Sequence, residues 1–279
     1  MKTLSRVPLR FTVTAMRGVA GGLVALALLL TGCAAQQPAT PSATAQTSPP
    51  VELNVSAASS LKVVLAKIAP EFEKAHSAKL VFNYGASGLL MKQVEGGSPT
   101  DVFLSAGAAQ VNTLTAEGVI SVEATKTFAG NDLVILVPVG NPKGIHGPSD
   151  LSKAAKLTTG DPKVAPHGAK AQEWLTKLGL WDALLPRFVF TANAAQTDDY
   201  VARGEVDAGI GFSSDAKGRT DLEIAYTVPA AQIKPIKYVA GPIKSSAQQA
   251  LATEFVDYLL TPGVQTAFAQ SGFKPAPVK

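Results

Sequence analysis

Four places in this sequence share one construction: an apolar, β-rich run ends, a small or hydroxyl-bearing residue follows, and a helical pattern begins. They are Ser59-Ser60, Ser87-Gly88, His167-Gly168 and Asn193-Ala194-Ala195. A helix start leaves its first backbone N–H groups without intrahelical partners, at the positive end of the helix dipole. Four such ends brought together, at roughly half a charge each, would match about two negative charges without any lysine or arginine. The same residues are ordinary N-caps, and in an α/β protein most such sites only cap their helices.

Other chemistries find less support. His76, His146 and His167 are scattered without metal-ligand spacing, and a single cysteine, Cys33, cannot complete a zinc site. Ser87 sits in Gly85-Ala86-Ser87-Gly88, which lacks the G-x-S-x-G spacing of a nucleophile elbow. A serine hydrolase built on Ser87 or Ser60 also needs a general base within reach, and no histidine has a sequence context that places it there. No P-loop or G-x-G-x-x-G opens a helix, so nucleotide binding is not expected. The expectation is a protein that is no enzyme and carries no cofactor.

The elements that must position these junctions alternate, strand then helix, as in an α/β protein with mainly parallel sheets. VELNVSA reads as a strand, followed by Leu61, Val64, Leu65, Ile68, Phe72 and Ala75 at helical spacing, with Pro70 expected to kink or divide the helix. KLVFNYG is a strand, Leu89 to Glu95 a helix, DVFLSA a buried strand and Ala108 to Glu117 a helix. In the second set, DLVILVPV has the unbroken apolar character of a strand covered on both faces. KLTTG, the helix Ala169 to Leu178, RFVF, the helix Ala195 to Arg203 and DAGIGF follow. LEIAYTV and IKYVAG lead into a helix from Ala247 to Leu260, which Pro262 is expected to close.

The N-terminal stretch carries Lys2, Arg6, Arg10 and Arg17, then an apolar run from Val19 to Leu30 that stops at Leu30-Thr31-Gly32-Cys33. That run is about a dozen residues, short of the roughly 20 of a membrane span, and reads as a signal peptide (1–32) ending in a lipobox. Cys33 is then the lipid attachment point, and the uncharged stretch to Pro50, with four prolines, a flexible tether (33–50). The four basic residues of the signal account for the whole formal charge of +4, leaving 21 basic and 21 acidic residues in the rest. Such a balance offers no basic stripe for a phosphate backbone, so no nucleic-acid partner is expected.

At the junction residues the sequence resembles a known family. The matching stretches are Ala57-Ala58-Ser59-Ser60-Leu61, Gly85-Ala86-Ser87-Gly88, and the run from Gln93 through Gly96-Gly97-Ser98-Pro99-Thr100-Asp101 to Ala106. Gly130-Asn131, Gly160-Asp161-Pro162, Pro166-His167-Gly168, Lys177-Leu178-Gly179-Leu180-Trp181 and Ser214-Asp215-Ala216 continue the likeness, with Pro262, Gln265, Phe268 and Gly272-Phe273 near the C-terminus. Together they span nearly the whole body, which resembles the substrate-binding proteins of ABC importers, in particular their molybdate-binding branch. The resemblance implies a two-lobed, type II periplasmic-binding-protein-like α/β fold with a two-strand hinge near Gly130-Asn131 and Lys237-Tyr238. Lobe I would be residues 51–130 plus 238–279, and lobe II residues 131–237.

It also implies a ligand, molybdate or tungstate, held between the lobes by hydroxyls and amides. Ser60 and Ser87 would donate from lobe I, Ser59 assisting, and the amides of His167 and Ala194 from lobe II. Phe212 stands where the family usually has a ligand-binding tyrosine, removing one donor for which Ser213, Tyr84 or a water would substitute. Gly107 stands where aspartate is common. The implied partner is an ABC permease, and the protein is expected to be a monomer, lipid-anchored and facing outside the cytoplasm. Sulfate, phosphate or another small anion is the alternative ligand.

Overall fold

Strands and helices alternate along the chain as the apolar periods require, and the computed structural model describes them for residues 49–276. In chain order they are β1 (Val51–Ala58), α1 (Lys62–His76), β2 (Ala78–Gly85), α2 (Ser87–Glu95), β3 (Val102–Ser105) and α3 (Ala108–Ala116). Next come β4 (Lys126–Asn131), β5 (Leu133–Pro138), β6 (Leu157–Gly160), α4 (Pro166–Lys177), α5 (Trp181–Leu184), β7 (Phe188–Thr191) and α6 (Ala194–Ala202). The chain ends through β8 (Ala208–Phe212), α7 (Ser213–Ala216), β9 (Leu222–Thr227), β10 (Ile236–Pro242), α8 (Gln249–Tyr258), α9 (Pro262–Gln270) and β11 (Lys274–Pro275). The expected signal peptide, most of the tether and Cys33 lie outside the described residues. Among the described residues no helix is long and apolar enough to cross a membrane.

Two sheets organise these elements. The first has the order β11-β4-β10-β3-β1-β2 and the second β7-β6-β8-β5-β9. The strands of the first therefore come from Val51–Asn131 and Ile236–Pro275, those of the second from Leu133–Thr227, and the chain crosses between them at Asp132 and at residues 228–235. The sheets are mixed rather than mainly parallel. β1 pairs parallel with β2 and β3, and β6 with β7 and β8, each through a crossover helix or longer connection. The strands flanking the two crossings run the other way: β10 lies antiparallel between β3 and β4, and β5 between β8 and β9. A strand entering from the neighbouring sheet needs no crossover helix, so nothing forces it to be parallel.

Burial follows the same periods. Leu53 and Val55 of β1 pack in one core with Val64, Leu65, Ile68 and Phe72 of α1. β5 is covered on both faces, as its unbroken apolar run implies: Leu133, Ile135 and Val137 join the main core, while Val134 and Leu136 face Val201, Val206 and Leu222. α1 runs unbroken through Pro70. Its missing N–H deprives the Ala66 carbonyl of a helical partner, but both residues lie on the exposed face, where water can replace the bond. Pro262 opens α9 instead of merely closing α8, a first-turn position at which a proline loses nothing.

Candidate functional site

All six residues singled out from the sequence, Ser59, Ser60, Ser87, His167, Ala194 and Phe212, line one small cavity between the two sheets. Among the described residues no lysine, arginine, aspartate or glutamate contributes to its walls. The junctions converge because each is the loop at the end of a strand: β1 leads through a 3-10 turn, Ser59–Leu61, into α1, β2 into α2, β6 through a short loop into α4, and β7 into α6. Capping does not explain three of them. The Ser59–Leu61 turn, α2 and α4 have no side-chain cap, whereas Asn193 caps α6, its Oδ1 accepting from the Gln196 N–H at 3.1 Å. The Gly88 N–H in the first turn of α2 is taken by the Val164 carbonyl at 2.9 Å, and the other uncapped first-turn amides at these ends are open to a ligand.

The serine hydroxyls are oriented by their neighbours. Ser87 is fully buried, and its Oγ accepts from the Ala106 N–H at 3.0 Å, so its own proton is free to be donated. Ser60 Oγ lies 2.9 Å from the Tyr238 hydroxyl. His167 is buried with Nε2 3.1 Å from Thr197 Oγ1, and its ring meets Phe212 edge-on at a centroid distance of 5.7 Å. Burial pushes this imidazole down to about 4, so it is neutral at pH 7. His167 shares the cavity with Ser87, a juxtaposition that the family resemblance implied and that no local sequence pattern around either residue showed. No hydrogen bond joins the two among the described residues, because the imidazole is engaged with Thr197.

Phe212 forms a buried apolar wall, edge-on to Tyr238 at 5.9 Å as well. Neither Ser213 nor Tyr84 lines the cavity. Ser213 Oγ is bonded to Asn131 Oδ1 at 2.8 Å, so it does not replace the hydroxyl that Phe212 lacks. Sequence reasoning gave Asn131 and Tyr238 a place only at the crossings between sheets. Their side chains nevertheless meet next to Ser60, at a separation of 107 residues that no local spacing reveals.

Beside the cavity, Asp215 and Asp198 form an acidic pair unforeseen in the sequence. Asp215 accepts from the Phe212 N–H at 3.2 Å and from Ser214 Oγ at 3.3 Å, yet burial pushes its carboxyl up to about 7. Asp198 is buried, with Oδ1 unpartnered among the described residues, and is pushed up by burial and then by the Asp215 charge. A carboxyl with a raised folded pKa binds its proton more tightly than in the unfolded chain. Its contribution is therefore largest below about 4 and is lost as pH rises through 7. His167 acts in the opposite sense, its depressed pKa removing stability as pH falls from about 6.5 through 4.

Asp215→Asn, compared with the parent at each pH, isolates the carboxyl. It is expected to gain more thermal stability relative to the parent at pH 7.5 than at pH 4.5, by at most about 4 kcal/mol and less after solvent screening, since Asp215 is half-buried. An equal difference at both pH values would show that Asp215 ionises normally.

Comparison with known proteins places this geometry in a family. Residues 53–274 match the family described as bacterial extracellular solute-binding protein. A putative ABC transporter substrate-binding lipoprotein of Bacillus subtilis is 33% identical over 247 residues, covering 88% of this chain and 93% of the relative. The molybdate-binding protein ModA of Haemophilus influenzae is 30% identical over 231 residues, covering 80% and 89%. Among solved structures, the substrate-binding domain of a putative molybdenum ABC transporter from Clostridium difficile is 35% identical, with a TM-score of 0.64 over 81% of this chain and 100% of that one. The chain belongs to the bacterial extracellular solute-binding proteins: it is a substrate-binding component of an ABC transporter, homologous to the molybdate-binding proteins and not an enzyme.

Proposed function

We propose that this protein captures a tetrahedral oxyanion, molybdate or tungstate, between its two sheet bodies and hands it to an ABC permease. Ser60 and Ser87 donate from the first body, with Ser59 assisting, and the main-chain amides of His167 and Ala194 donate from the second. The observation that carries this reading is a cavity with uncapped helix starts and hydroxyls in its walls but, among the described residues, no charged side chain. A desolvated dianion is costly unless each oxygen is hydrogen-bonded, and fixed neutral dipoles supply those bonds without leaving a buried cation in the unliganded protein. The two crossings, at Asp132 and at residues 228–235, let the bodies rotate as lobes by changing a few dihedrals. Cys33 carries the lipid that keeps this monomeric receptor at the outer side of the membrane, near its permease.

Calorimetric titration against an oxyanion panel tests the reading, supported by melting curves. Molybdate and tungstate are expected to bind and to raise the melting temperature, while equimolar sulfate has little effect. Equal stabilisation by all three, or by none, would defeat the assignment. Phe212 favours a second reading, a site adapted to another anion such as sulfate or phosphate, because an apolar wall replaces a donor. Phe212→Tyr separates the two: by restoring a hydrogen bond it should tighten molybdate by about tenfold if the oxyanion is the native ligand, and loosen binding if the site is shaped for another.

A further inference from the structure

The side chain of Asn131, at the crossing from the first sheet to the second, is held in one orientation. Its Oδ1 accepts from the Asp132 N–H at 3.0 Å, the Ser213 hydroxyl at 2.8 Å and the Ser214 N–H at 3.4 Å. Two of these are backbone donors, which can only face an oxygen, so the other end of the amide is the nitrogen. Asn131 Nδ2 reaches Ser214 Oγ at 2.9 Å and Tyr238 Oη at 3.2 Å. Tyr238 Oη must therefore accept from Asn131.

Tyr238 is fully buried, and among the described residues its only other hydroxyl partner is Ser60 Oγ at 2.9 Å. Were Ser60 to donate to Tyr238, the phenol proton would be left buried without an acceptor, a costly arrangement. Burial also holds the phenol well above its usual ionisation range, so the proton stays on. The hydrogen-bond direction is thus set along the row: Asn131 donates to Tyr238, and Tyr238 donates to Ser60. Ser60 then has its own proton free at the cavity wall.

We propose that Tyr238 is a positioning residue for anion binding, which takes a hydrogen bond from Asn131 at the interlobe crossing and, by donating to Ser60, commits the Ser60 hydroxyl to donate to the ligand. The proposal rests on the reading that Ser60 touches the oxyanion. It also accounts for a site that works with Phe212 in its wall: the tyrosine hydroxyl acts from β10, one bond removed from the ligand. A wall hydroxyl committed to donating suits an anion without protons. It disfavours one such as hydrogenphosphate, whose own O–H needs an acceptor.

A double-mutant cycle on the purified protein tests this, with molybdate affinity measured for the parent, Ser60→Ala, Tyr238→Phe and the double variant. Tyr238→Phe is expected to weaken binding about tenfold in the parent, and less than about twofold when Ser60 is already alanine. Its preference for molybdate over inorganic phosphate should also narrow, because Ser60 is then free to turn and accept. Equal factors in both backgrounds, with unchanged preference, would mean that Tyr238 acts only through packing and would overturn the proposal. A Ser60→Ala variant that binds as tightly as the parent would overturn it too, while leaving oxyanion capture itself standing. Failure of the parent to bind any oxyanion would instead defeat the functional reading on which it rests.

Discussion

Gly88→Ala should weaken oxyanion binding by about a hundredfold or more while leaving the melting temperature of the ligand-free protein within a few degrees of the parent. Gly88 is the second residue of α2, and its N–H donates across to the Val164 carbonyl at 2.9 Å, from the first sheet body to the second. A methyl group there would lie 2.5 Å from that carbonyl oxygen and 2.9 Å from Val164 Cα. Both are backbone atoms, which cannot turn aside as a flexible side chain would. The three nearest atoms all belong to Val164, so the clash falls between the bodies and is relieved by holding them apart. Within α2 itself, alanine is the better helix former by about 0.8–1.0 kcal/mol. On the proposed binding mode closure is then lost, and with it the hydrogen bonds that the amides of His167 and Ala194 would give the anion. Unchanged affinity in this variant would show that the ligand does not require these two bodies in contact.

Gly168→Ala is expected to do the reverse, lowering the melting temperature by about 10 °C or more through a destabilisation of at least about 4 kcal/mol. Its methyl would sit 1.9 Å from the Gly160 carbonyl oxygen and 2.5 Å from the carbonyl carbon. Gly160 ends β6 and Gly168 lies in the first turn of α4, so both belong to the second sheet body, and moving the two bodies apart would not separate them. The start of α4 therefore presses directly against the end of β6, which holds His167 at the cavity. Thermal denaturation of the ligand-free variant checks this, and a melting temperature equal to the parent's would show that α4 can shift without cost.

The two glycines also show how far local pattern reaches. Each stands in a junction recognisable from the sequence, Ser87-Gly88 and His167-Gly168, where a strand gives way to a helix. Pattern alone assigns them the same role. One nevertheless contacts the other sheet body and the second its own, because that depends on how β6, β7 and β8 stack and on where the chain crosses between sheets. Pro262 carries a similar lesson, since a proline stops one helix and starts another equally well. The mixed sheets follow from β10 and β5, whose apolar runs state that they are strands but not which way they run.

What the sequence determined by itself is the set of elements and the chemistry at their ends. Periodicity marks the strands and helices, and the junction residues offer amides and hydroxyls without charge, because those properties depend on residues a few positions apart. The tertiary structure decided which way the protons point. Ser60 becomes a committed donor only because Tyr238, 178 residues further on, lies against it with its own acceptor filled by Asn131. A hydroxyl can donate or accept with equal ease, and only the neighbours brought in by sheet order and register choose between the two.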